Sequence, residues 1–162
     1  MSRAIKRGKA LPCLSKGSKP FFLAAGLSAL VLVMNWVISL LGYIDVYSNF
    51  DPVDGHAHEM VFGMASAAIA GFLITAVPNW TGRMPLQGWP LIDLFSLWLA
   101  GRIVMYLGSI VSAEVIAVID TSFLFVLLGV LLREIVAGRN WRNLPITFVL
   151  ALLATANIFS HF

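Results

Sequence analysis

His56-Ala57-His58-Glu59 sets two imidazoles and a carboxylate within four residues, at the start of a long apolar segment. His161, the third of three histidines, closes another apolar segment that should return to the same side of a membrane. Histidine is the commonest metal-ligating side chain, and an ionisable group at a membrane-helix end is a functional candidate by default. The pattern points to a metal site near one membrane face.

The spacing limits how such a site is built. Residues two apart on a regular helix point about 200° apart, so His56 and His58 cannot both face one metal from within it. Either His56 lies in the turn after Asp54-Gly55, or the two serve different centres, or one orients while the other ligates. A helix N-terminus carries partial positive charge, which favours the neutral imidazole that metals bind. Glu59 is placed to accept the second ring N–H, and Met60, four residues after His56, offers copper a soft ligand. A full set of four zinc ligands is not evident. Haem needs only one or two axial ligands and an apolar pocket.

The elements that position these residues are membrane helices. The chain is 59% hydrophobic and 12% charged, where a soluble domain is about half apolar and a quarter charged. Five stretches reach the roughly 20 apolar residues that a hydrocarbon core requires: 21–44, 57–78, 90–110, 113–137 and 144–162. Alternating strand patterns are absent, so the fold class is all-α, a polytopic helical membrane protein. The first stretch is about twice as long as a signal-peptide core and no small-x-small cleavage site follows it, so it reads as a retained helix. Cys13 is the only cysteine, which excludes an intrachain disulfide and any cysteine-based metal motif.

The net charge of +3 serves topology and gives no reason to invoke nucleic acid. Arg3, Lys6, Arg7, Lys9, Lys16 and Lys19 form a basic tail over 1–19, suited to anionic lipid headgroups. Tyr43 to Gly55 carries no Lys or Arg but has Asp45, Asp51 and Asp54; Arg83 follows the second segment, and Arg133, Arg139 and Arg142 the fourth. The alternation puts the N-terminus in the cytoplasm, with the bundle over 20–162. Trp80, Trp89 and Trp141 fall at the inner interface as anchors. Gly63, Ala67 and Gly71 repeat at four-residue spacing, a packing face that makes the second helix central.

Helical rise gives the buried polar groups a common height. Arg102 comes out about 18 Å above the inner end of its helix, and Asp120 roughly 10 Å below the outer end of the next. Asn35 and Asn157 come out about 20 Å above the inner ends of theirs. His161 shares a helix face with Asn157, one turn further on. A charge at this depth costs at least ~2.5 kcal/mol, so Arg102 and Asp120 need partners. Either they pair with each other, or Arg102 holds an anionic group such as a haem propionate while Asp120 orients a histidine.

The stretch from Gly55 to Gly63, the stretch Ala70-Gly71-Phe72-Leu73-Ile74-Thr75-Ala76-Val77-Pro78-Asn79-Trp80-Thr81-Gly82-Arg83, Gly88-Trp89-Pro90 and Leu99-Ala100-Gly101-Arg102 together resemble the NnrS family. The resemblance implies a polytopic inner-membrane protein of bacteria with haem and copper, tied to denitrification and the response to nitric oxide. It implies that His56, His58 and His161 belong to those centres; the residues themselves, read without it, set Arg102 beside the cofactor and give Glu59, Asp120, Asn35 and Asn157 supporting or structural roles. Family members have about twelve helices, so the chain corresponds to roughly the first five, and a C-terminal half or another subunit is an expected partner. Two other readings stand beside this one: a transporter or channel lined by the polar layer, and a structural subunit without cofactor.

Overall fold

A computed structural model of the chain describes residues 18–43 and 50–162. Most of the expected basic tail, Cys13 and Asp45 lie outside the described residues. Those described form helices and no strand: α1 (Lys19–Leu40), α2 (Pro52–Thr81), α3 (Trp89–Met105), α4 (Ala113–Ala137) and α5 (Leu144–Phe159). A 3₁₀ turn, Trp141–Asn143, leads into α5. Helices α1, α2 and α4, and α5 together with that turn, are long and apolar enough to cross a membrane. The protein is a helical membrane protein.

The third expected span is shorter than its apolar run. Helix α3 ends at Met105 after 17 residues, and residues 106–110 continue as turns, where Gly108 and Ser109 favour turn over helix. The second helix starts earlier than expected, at Pro52 instead of Ala57. Asp51 is its N-cap, its carboxylate accepting the Val53 N–H at 3.0 Å, and proline suits the first helical position because its missing N–H has no intrahelical partner there. At the other end Gly82 takes φ 68°, and its N–H returns to the Pro78 carbonyl. That left-handed conformation is open to glycine without a Cβ penalty.

Within α2, Glu59–Ala65 is a π-helical segment. Such a segment closes i→i+5 hydrogen bonds and so carries an extra residue in the turn. Here the Ser66 hydroxyl donates to the Phe62 carbonyl and to that of Gly63, the latter at 3.0 Å. The Trp98 indole N–H donates to the Gly63 carbonyl from α3, also at 3.0 Å. The widened turn is thereby tied to a neighbouring helix.

Helices α2 and α4 are the inner pair. Half of α2's spanning stretch and 44% of α4's are buried inside the protein, against 17% for α1, so lipid meets mainly the outer helices. Helix α1 packs on α2, and α4 packs on α3 and α5. Because lipid tails are as apolar as leucine, close backbone approach decides where membrane helices meet. The expected small-residue face does this: Ser66, Ala67 and Ala70 are fully buried, and Gly71 lies against Phe21 and Phe22 of α1. Gly101 of α3 meets the Asp120 backbone of α4, where an added Cβ would stand 3.3 Å from its Cα.

At Gly63, a Cβ would fall 2.5 Å from Arg102 Nη1 and 2.9 Å from Glu59 Oε2. Gly26, in the middle of α1, has nothing within 4 Å of that position. Thermal unfolding in detergent should therefore show Gly63→Ala losing about 1–3 kcal/mol, the usual cost of overpacking, while Gly26→Ala loses nothing. Equal melting temperatures for the two variants would contradict this packing.

Candidate metal centre

Four helices bring their polar residues to one place. From α2 come His58 and Glu59, at the junction with the π segment; from α3 comes Arg102, from α4 Asp120, and from α5 Asn157, with His161 two residues past that helix. His58, Glu59, Asp120 and Asn157 are 4% exposed or less, and the His161 side chain is 3% exposed. Polar groups so placed must satisfy one another.

Asp120 is the centre of the set. Its Oδ1 accepts from Arg102 Nη2. Its Oδ2 lies 3.1 Å from His161 Nε2 and 3.4 Å from His58 Nε2. Arg102 also donates through Nη1 to Glu59 Oε1 at 2.7 Å, so one guanidinium joins two carboxylates from different helices. His58 Nε2 stands 3.0 Å from Asn157 Oδ1. The two histidine rings are 4.9 Å apart, and Phe50 flanks both, at 5.4 Å from His58 and 5.7 Å from His161. With neutral imidazoles, two carboxylates and one guanidinium leave one negative charge uncompensated. Buried atoms without a partner, His58 Nδ1, Arg102 Nε and Asn157 Nδ2, belong to the same cluster.

The donor set suits a small cation. With metal–ligand distances of about 2.0–2.2 Å, neighbouring donors around one ion stand roughly 3–3.5 Å apart, and both His–Asp120 separations fall there. Ligand atoms of His58, Asp120 and His161 all lie within 4.8 Å of one another. Haem does not fit between His58 and His161. Their Nε2 atoms converge on one carboxylate oxygen, whereas two axial ligands face the iron from opposite sides of a planar macrocycle.

The other expected site residues lie elsewhere. His56 sits inside α2 and not in a preceding turn, because the Asp51 cap starts the helix before it. It therefore points away from His58 and stacks on Trp36 of α1, ring centroids 4.6 Å apart and 24° from parallel. Its Nδ1 is buried without a partner. Asn35 donates to the Tyr106 hydroxyl at 3.0 Å, a contact between α1 and the turn after α3, separate from the cluster. Glu59 does not accept from His58: its Oε1 is 3.9 Å from Nδ1, and Arg102 takes that oxygen instead. Spacing does not single out Trp36 and Trp98, since an aromatic residue in an apolar helix looks like any core residue, nor Phe50, which precedes α2 in a bend.

A protein-family model described as "NnrS protein" matches residues 12–162. The chain belongs to the NnrS family. Membership places it, at the level of the family, among membrane proteins of the nitric oxide response, a family known in general for haem and copper. No curated protein and no solved structure matches the chain.

Breaking a buried ion pair by removing one partner typically costs about 3–5 kcal/mol, because the other charge stays buried. Asp120→Ala and Arg102→Met should each lower unfolding stability in detergent by about that much. The double variant should lose less than the sum of the two. Strict additivity in this cycle would show that Arg102 and Asp120 do not depend on each other.

Proposed function

We propose that the chain acts in the bacterial inner membrane in the response to nitric oxide, and that His58, His161 and Asp120 would hold a copper ion. The observation that carries this is the convergence of two buried imidazole nitrogens on one carboxylate oxygen. Imidazole and carboxylate donors suit borderline divalent ions, copper among them. Metal binding through His58 Nε2 leaves that ring's proton on Nδ1, which has no protein acceptor, Glu59 Oε1 standing 3.9 Å away. A bound copper supplies one-electron redox chemistry. The protein's own residues bind it, hold the imidazoles and exclude water.

Haem, the second cofactor of the family, falls to His56. It is the histidine outside the cluster, half-buried at the α1–α2 contact, with a ring nitrogen that has no protein partner. The alternation of basic residues supports a cytoplasmic N-terminus, which puts the His58 cluster toward the outer face. The transporter reading has less to support it: Arg102, Asp120 and Asn157 are engaged in contacts among α2, α3, α4 and α5.

Copper titration of the detergent-purified protein, followed by electron paramagnetic resonance, tests the assignment. One tightly bound Cu²⁺ with nitrogen hyperfine structure is expected, lost in His58→Ala and His161→Ala and kept in His56→Ala. An absorption spectrum of protein made with ample haem should show a Soret band that His56→Ala removes. Copper binding unchanged by His58→Ala and His161→Ala would overturn the copper site; a Soret band indifferent to His56→Ala would overturn the haem assignment.

A further inference from the structure

On the side of Arg102 away from the histidines, α1 and α3 part. They touch near one end, where Phe21 and Phe95 meet edge-on at 5.4 Å, and at the other, where Asn35 donates to Tyr106 at 3.0 Å. Between these joints is a cavity of about 350 Å³. Leu23, Leu27 and Val31 of α1 and Leu99 of α3 line it and are themselves half exposed on the lipid-facing surface. Its inner wall is different: Glu59 and Arg102 stand side by side next to the rings of Phe95 and Trp98.

We propose that this groove binds the head of a lipid-soluble quinone or quinol, entering sideways from the bilayer. The ligand class follows from what the walls can recognise. An apolar flank open to lipid suits an isoprenoid or alkyl tail. Flat aromatic walls suit a planar ring, which prefers offset or edge-on contact with them. A carboxylate next to a guanidinium can accept from a hydroxyl and donate to a carbonyl, and Arg102 keeps Nε–H without a partner. A buried guanidinium with an unused donor is a costly arrangement that a carbonyl oxygen relieves.

Depth separates this ligand from a phospholipid. Arg102 is thirteen residues beyond Trp89, about 20 Å along the helix in a hydrocarbon core of about 30 Å. A phosphodiester headgroup stays at the interface and cannot reach that level, whereas a quinone ring lies within the hydrocarbon. A helix of another chain is a poorer occupant, because close helix packing uses small residues and the flank here is built of leucine and valine.

The test uses the full chain in detergent, in the presence of a chelator, so that it does not depend on the metal assignment. A benzoquinone with a ten-carbon tail is titrated and tryptophan fluorescence is read, since quinones quench indoles such as Trp98. Saturable quenching is expected. Ser28→Phe and Leu27→Phe, both in the groove lining, should weaken it at least about tenfold. Val33→Phe, exposed on the same helix and outside the lining, should leave it unchanged. Non-saturating quenching that is alike in all four proteins overturns the proposal. So does saturable quenching that phosphatidylcholine displaces as readily as quinone does, which would mark a lipid groove, or saturable quenching that the groove variants leave intact.

Discussion

Arg102 bridging Glu59 and Asp120 is the contact on which the rest of the interior depends. A guanidinium within a bilayer is tolerated only when paired, and here its two partners come from α2 and α4, the inner helices of the bundle. The pairing dictates backbone choices around it. Gly63 has no room for a side chain beside Arg102, and Gly101 lets α3 approach α4 at the level of Asp120. The π segment lies where Glu59 must turn toward Arg102, with the Trp98 indole donating to its Gly63 carbonyl. One charge thus fixes the register of three helices.

The same contact sets the electrostatics of the histidine cluster. A lone arginine–aspartate pair would be neutral and closed. With both imidazoles neutral the second carboxylate leaves a negative surplus, and Asp120 Oδ2 faces the imidazoles and not the guanidinium. In a low-dielectric interior such a surplus is strongly unfavourable unless a cation or proton answers it. A site that merely glued helices together would do better with one carboxylate fewer. Helix locking and cation binding are therefore complementary: Arg102 holds the carboxylates in place, and the uncompensated charge makes the histidine side receptive.

Much of this was legible in the residues. Length and apolarity set the helical class and the number of helices, and the glycine–alanine spacing of α2 marked it as central, because these depend on local composition and period. Helical rise put Arg102, Asp120 and Asn157 in one layer, and they do share a neighbourhood. The same arithmetic placed Asn35 there too, yet it faces Tyr106 instead. Rise gives a height and no direction around the bundle. The early start of α2 hung on the Asp51-Pro52 cap, overlooked beside the stronger apolar signal, and it decided that His56 points away from His58. The Glu59–Arg102 bond was hidden by the π segment, which shifts facing by part of a turn and has no sequence period of its own.

Dividing the histidines between two surroundings explains why the sequence holds them so close together. Side chains two apart on one helix face opposite ways, so a single turn of α2 presents His58 to α4 and α5 and His56 to α1. One helix thereby fixes the separation of the two imidazoles without any loop between them. The α1–α3 groove adds a third compartment reached from the same π segment, through Glu59. Three environments therefore meet within one turn, where the α-helix gives way to the π segment at Glu59.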